Sequence, residues 1–148
     1  MSDPGHVTPH LLVIEARFYE DIADTLYQGA SAALDAGGVT HERVSVPGVF
    51  EIPAVVRMAV RSMDFFAGRR RFDGYVALGC VIRGETTHYE LVSGESCRGL
   101  MDLGVRHGHA AEVLAGLAGE FGAGVQSNCA GELGSVGSAL NRLAAVPL

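Results

Sequence analysis

The sequence predicts an α/β domain whose parallel sheet is covered by helices on both faces. Three observations carry that expectation. Short, nearly continuous apolar runs alternate with longer segments of helical spacing, in the order strand, helix, strand, helix, strand, helix. Two of the three runs, the first and the third, are apolar along most of their length, as strands buried on both faces are. Stop and turn signals, Gly37-Gly38 and Pro47-Gly48, fall at the junctions.

Each element follows from its residues. His10 to Ala16 (His-Leu-Leu-Val-Ile-Glu-Ala) is the first buried strand. Asp21 opens a helix with Ile22, Ala23, Leu26, Tyr27, Ala30, Ala33 and Leu34 on one face, and Gly37-Gly38 stops it. Val39 to Val46 alternates as a second strand. Ile52, Val55, Val56, Ala59, Val60 and Met63 trace an amphipathic helix, with Pro53 tolerated in its first turn. Arg69-Arg70-Arg71 reads as a solvated loop. Gly74 to Ile82 is a third buried strand, and Arg83 to Thr87 is a polar loop. His88 to about His107 is helical, with Leu91, Val92, Leu100 and Leu103 inward. In the tail, Ala110, Val113, Leu114, Leu117, Ala118 and Phe121 fit a helix, and Val136, Ala139, Leu140 and Leu143 a second. A fourth strand is expected between them, with Gly124 to Cys129 the best candidate.

Composition narrows the function classes. The 148 residues suit one domain, and 48% apolar against 19% charged residues argues against disorder. No apolar run reaches the ~20 residues of a membrane span, and the start of the chain carries no secretory pattern. A formal net charge of −6 speaks against a general nucleic-acid surface. There is no lysine, so Schiff-base and P-loop lysines are excluded. Cys80, Cys97 and Cys129 are widely spaced, which suits reduced thiols of a cytoplasmic protein. The histidines at 6, 10, 41, 107 and 109 show no metal-ligand spacing. Gly94 to Arg98 lacks the final glycine of a nucleophile elbow, and Gly122-Ala123-Gly124 lacks a dinucleotide fingerprint.

In open sheets of this kind ligands bind beyond the carboxyl ends of the strands. Three segments fall there: Arg17-Phe18-Tyr19, Pro47 to Glu51, and Arg83 to His88. Backbone N–H groups and the dipole at the start of the third helix favour an anion, and Thr86 and Thr87 add hydroxyls. His88, in the first turn, could move protons on whatever the loop holds. The same residues also suit a plain capping loop with a surface histidine. Phe18 either stacks on a planar ligand or closes the edge of the core. Glu51 either caps the second helix or accepts hydroxyl hydrogen bonds from a ligand.

Together these segments resemble lumazine synthases. The resemblance rests on Glu-Ala-Arg-Phe-Tyr-Glu-Asp (15–21), Val-Pro-Gly-Val-Phe-Glu-Ile-Pro (46–53) and Ala-Leu-Gly-Cys-Val-Ile-Arg-Gly-Glu-Thr-Thr-His-Tyr-Glu-Leu-Val (77–92), and Ser93 to Leu103 continues it. It covers about residues 10–107 in order and spacing. It implies a flavodoxin-like three-layer α/β/α sandwich with a central parallel four-stranded sheet, in a single domain over 1–148, with 1–9 a flexible lead and 109–148 divergent. It also implies condensation of 3,4-dihydroxy-2-butanone 4-phosphate with 5-amino-6-ribitylamino-uracil to 6,7-dimethyl-8-ribityllumazine, a step of riboflavin biosynthesis. No metal or organic cofactor is implied. The implied partners are the two small-molecule substrates and further copies of the chain, as a pentamer or a shell of pentamers, with neither nucleic acid nor membrane.

Residue by residue, Phe18 matches the aromatic that stacks on the uracil ring. Val49, Phe50 and Glu51 match the segment that holds the ribityl chain. Cys80, Val81 and Ile82 match the strand end that contacts the uracil through backbone groups. Glu85 and Thr86 match the phosphate-binding turn, and His88 the acid/base residue. After about residue 108 the family pattern stops. Members continue with an apolar strand, a phosphate-binding arginine and a Gly-Asn-Lys-Gly-like stretch, whereas Arg106 and Arg142 are the only arginines here past residue 100. The altered tail leaves room for a second expectation, a relative that assembles or binds ligand without catalysing.

Overall fold

A computed structural model describes residues 8–62, 72–107 and 113–119. In chain order the elements are β1 (His10–Ala16), α1 (Glu20–Ala36), β2 (Thr40–Val46), a 3-10 turn (Val49–Glu51), α2 (Ile52–Ser62), β3 (Gly74–Val81), α3 (His88–Arg106) and β4 (Val113–Gly119). The four strands form one sheet in the order β2-β1-β3-β4, and every neighbouring pair is parallel. This is the expected α/β/α architecture.

Alternation along β1 assigns the layers. Leu11 and Val13 join Leu26, Ala30 and Leu34 of α1 in one core. Leu12, Ile14 and Ala16 join Ile52, Val56 and Val60 of α2 and Leu100 and Leu103 of α3 in the other. All eight residues of β3 are buried, as a central strand covered on both faces requires. Helix α1 ends as the sequence predicts: the Gly37 N–H returns to the Ala33 carbonyl at 3.1 Å, and Gly38 takes φ +67°, a conformation that glycine adopts without strain. Strand β2 lies at the sheet edge, and five of its seven residues are exposed.

Two expectations need correction. Residues 110–121 were expected to be helical, but β4 occupies 113–119. Val-Leu-Ala-Gly-Leu-Ala-Gly has helical spacing only because nearly every position is apolar, and its two glycines are poor helix residues. Pairing decides instead: β3 presents an open edge, and β4 satisfies it from Tyr75↔Val113 to Val81↔Gly119. The fourth strand of the described sheet is therefore Val113–Gly119, and Gly124 to Cys129 lies outside the described residues. So do Met63, the Arg69–Arg71 run, Cys129, the helix expected over 136–143 and residues 1–7 of the N-terminal lead. The second correction is Leu91, which is 60% exposed. The inward face of α3 runs through Val92, Ser96, Leu100 and Leu103, and Leu91 lies beside it.

Among the described residues, no helix is long and apolar enough to cross a membrane, and no group of three His, Cys, Asp or Glu could hold a metal ion. Cys97 is an exposed free thiol, and Cys80 is buried.

Candidate functional site

The strand order brings the three chemistry-bearing segments to one edge. β1 lies between β2 and β3, so the loop after Ala16 is flanked by the loops after Val46 and Val81. The Arg17 N–H donates to the Val46 carbonyl at 2.9 Å, tying two of these ends directly.

Phe18 is 72% exposed and meets Tyr19 edge-on at 4.9 Å between ring centres. It does not close the core, so its ring face is available to a planar ligand. A charged cluster built on one buried carboxylate lies at the strand end that carries it. Glu15 is 1% exposed, and its Oε1 accepts from Arg43 Nε at 2.8 Å, Ser45 Oγ at 2.7 Å and Arg17 at 3.3 Å. Arg17 also donates to Asp24 of α1 at 2.8 Å. That bond raises the Arg17 pKa above its ordinary value; burial opposes the rise and Glu15 adds to it. The Arg43 guanidinium lies 3.7 Å from the centre of the Tyr27 ring, whose hydroxyl meets His41 Nε2 at 3.0 Å. Sequence reasoning missed this cluster. Its signal was Glu15 itself, a lone charge inside an apolar strand, which must be paired once buried.

The second segment is built around Val49. Its side chain is 3% exposed and lies against Gly79 of β3, where an added Cβ would fall 2.2 Å from Val49 Cγ1. Its carbonyl accepts from the buried hydroxyl of Ser96 at 2.9 Å. Phe50 is 58% exposed. Glu51 caps its own turn, since the Gly48 N–H donates to its carboxylate at 3.0 Å. The cap therefore serves the 3-10 turn that leads into α2 rather than α2 itself, and the carboxylate remains at the surface.

The third segment starts from Cys80 and Val81, both buried at the end of β3, so only their backbone could meet a ligand from the sheet edge. Ile82 is half-buried, and Glu85, Thr86 and His88 are exposed. The His88 N–H donates to Thr86 Oγ1 at 3.4 Å, while Thr87, the N-cap residue, makes no side-chain capping bond. Of the two threonines expected to cap, Thr86 alone does so, and weakly. Arg83 pairs with Glu90 and lies 4.2 Å from the centre of the Tyr89 ring. The Glu90 carboxyl is held below the usual carboxylate range, first by its own backbone N–H and then by Arg83.

The edge therefore offers an exposed aromatic ring, a short turn with hydroxyl-accepting groups, and a helix start with N–H donors and an imidazole. That set suits a planar, hydroxylated molecule beside a small anionic one.

A family model described as 6,7-dimethyl-8-ribityllumazine synthase matches residues 8–116. The match passes the expected break at residue 108 and ends inside β4. Among curated relatives, a 6,7-dimethyl-8-ribityllumazine synthase of Bartonella bacilliformis is 50% identical over 105 residues, 71% of this chain and 66% of that protein. The enzyme of Agrobacterium fabrum is 54% identical over 97 residues, 66% of this chain and 64% of that protein. The protein named 6,7-dimethyl-8-ribityllumazine synthase 1 in Rhizobium meliloti is 54% identical over 96 residues, 65% of this chain and 61% of that protein. The match thus spans less than two thirds of the length of each of these curated relatives.

Proposed function

The chain belongs to the 6,7-dimethyl-8-ribityllumazine synthase family, and from that premise we propose that it joins 3,4-dihydroxy-2-butanone 4-phosphate to 5-amino-6-ribitylamino-uracil, giving 6,7-dimethyl-8-ribityllumazine, phosphate and water. The observation that carries this reading is the convergence of the Phe18, Val49–Glu51 and Glu85–His88 loops on one sheet edge.

In this proposal Phe18 stacks on the uracil ring, and the backbone at Cys80, Val81 and Ile82 holds its polar edge. Val49, Phe50 and Glu51 run along the ribityl chain, with the Glu51 carboxylate accepting from its hydroxyls. The Glu85 N–H and the Thr86 hydroxyl, at the positive end of α3, hold the phosphate. The amine attacks the ketone carbon and water leaves. Phosphate then departs as a proton is taken from the adjacent carbon, the transfer that His88 serves, and the enol left behind tautomerises to a ketone. The ribityl-bearing nitrogen attacks that ketone, and loss of a second water closes the ring. Most of the acceleration comes from holding two reactants in contact, because amine–ketone condensation asks little else of the protein. The proposal uses neither metal nor organic cofactor.

We also infer that the working form is a cytoplasmic homo-oligomer, a pentamer or a shell of pentamers. Phe18, Phe50, Met58, Leu91, Met101 and Val105 are all large apolar side chains exposed on the single chain, an arrangement that favours burial against further copies. Light scattering tests this, and a stable monomer would count against it.

Turnover is tested by following the lumazine product by absorbance and fluorescence against the uncatalysed background. His88→Ala should lower kcat by about tenfold or more. A folded oligomer with no turnover above background would remove the enzymatic reading. It would favour a non-catalytic relative, a second reading that draws on the family match stopping at residue 116 of 148.

A further inference from the structure

Ser96 and Glu15 are the buried polar residues among those described. Glu15 belongs to the cluster behind Phe18. Ser96 sits on the inner face of α3, 2% exposed, and donates to the Val49 carbonyl 47 residues away in sequence. Three residues later, Gly99 faces Pro53, where an added Cβ would fall 3.1 Å from the proline ring. From the opposite side Gly79 admits the Val49 side chain. The 3-10 turn is therefore gripped between β3 and α3, and Ser96 supplies the directional bond in that grip.

Helix α3 also begins at His88. At ~1.5 Å rise per residue, Ser96 lies ~12 Å along the same rod. The helix thus carries the phosphate turn and the imidazole at its start, and is pinned to the Val49–Glu51 turn farther down.

We propose that Ser96 is a positioning residue: its hydrogen bond to Val49 sets the span between the Glu85–His88 end of α3 and the Val49–Glu51 turn, and so holds the two reactants in register. The assignment rests on the synthase reading above. It distinguishes the two substrates. The sugar phosphate would be held by the start of α3 itself, which moves as one body with Ser96. The pyrimidine would be held by the turn that Ser96 ties down, and by Phe18. Losing the bond therefore displaces one reactant relative to the other. A displacement of about 1 Å in such a pair can cost about a hundredfold in rate.

The test compares wild type with Ser96→Ala and Ser96→Thr, measuring kcat, KM for each substrate and Tm. Calorimetry adds the affinity for an unreactive pyrimidine in which a nitro group replaces the nucleophilic amine. Ser96→Ala should lower kcat at least about tenfold and raise both the pyrimidine KM and the analogue Kd. The sugar phosphate KM should stay within about twofold, and Ser96→Thr, which keeps the donor, should recover most of the loss. Should the alanine variant fail to fold, Ser96→Cys, with only a weak donor, is expected to show the same asymmetry. A lowered Tm with kcat and both KM values unchanged would overturn the assignment and leave Ser96 a core hydroxyl. So would an equal rise in both KM values. Wild type that neither turns over nor binds the nitro pyrimidine would overturn the synthase reading, and the Ser96 assignment with it.

Discussion

Gly79→Ala should be among the most damaging single-methyl changes in the protein. The added Cβ would stand 2.2 Å from Val49 Cγ1 and 3.7 Å from Ala16 Cβ. Carbon atoms rest comfortably about 3.5–4.0 Å apart, so one contact is ordinary and the other needs more than about 1 Å of relief. Val49 cannot supply that relief by rotating, because a β-branched side chain has few χ1 choices, and its carbonyl is tied to Ser96. Either β3 or the 3-10 turn has to shift. Overpacking of this kind costs about 1–3 kcal/mol, and the rigidity of both partners puts the expectation at about 2–3. For a chain of this size that lowers Tm by about 6–10 °C. Val49→Ala alone gives up most of a buried valine, about 1.5–3 kcal/mol. In the double variant the clash is gone, so its loss should fall short of the sum by about 1 kcal/mol or more. Thermal and urea unfolding of the four proteins close the cycle. Wild-type stability in Gly79→Ala, or single losses that add to within about 0.5 kcal/mol, would refute the reasoning.

Three other outcomes are expected. Arg43→Ala removes a charge-assisted bond to buried Glu15 and the stacking over Tyr27. It should cost about 2 kcal/mol in urea unfolding, near the lower end for a hydrogen bond to a charged group because Arg17 and Ser45 still serve Glu15. Tyr75 is buried, and its hydroxyl has no hydrogen-bond partner among the described residues. Tyr75→Phe should therefore be neutral or stabilising by up to about 1 kcal/mol. Burial pushes the Tyr75 phenol above its ordinary 10.0, so the unfolded chain ionises first and stability is lost as pH rises past that value. The phenylalanine variant should flatten this alkaline limb. At the acid end, the Arg98 side chain holds the Glu95 carboxyl below its ordinary 4.5. Its contribution is present above that value and is lost as pH falls toward the folded-state pKa. Arg98→Gln should return the Glu95 titration toward 4.5 in NMR, and an unchanged midpoint would disprove the pairing.

Local patterns made most of the fold legible. The run over β1, the spacing of Ile52, Val56 and Val60, and the Gly37-Gly38 stop each report a physical requirement satisfied within a few residues. The three loops at the site were legible for a similar reason, since strand-helix alternation alone says which strand ends share an edge. Strand β4 was not legible. In Val-Leu-Ala-Gly-Leu-Ala-Gly both periods fit, and only the open edge of β3 decides between them. The Glu15 cluster and the Ser96–Val49 bond were hidden for a different reason. They join residues 28, 30 and 47 apart, and no local periodicity records a contact made across the fold.

These long-range contacts share one location, and that bears on how such a site is built. Loops at a sheet edge have few neighbours of their own, so each would drift without an anchor below it. Here the anchors lie just beneath the edge. Glu15, one residue before the end of β1, gathers Arg17, Arg43 and Ser45 at the strand end from which the Phe18 loop leaves. Gly79 and Ser96 grip Val49 beneath Phe50 and Glu51. β4 pairs with Cys80 and Val81 beneath the third loop. Each anchor is a polar bond to a buried group, a close steric contact or a strand pairing, whereas Phe18, Phe50, Glu51, Thr86 and His88 are exposed. The cost of ordering the site is thereby met during folding. On the proposed reading of the site, substitutions among these anchors should therefore change stability and reactant alignment together, while changes to the exposed ring and imidazole should change binding and rate with little effect on stability.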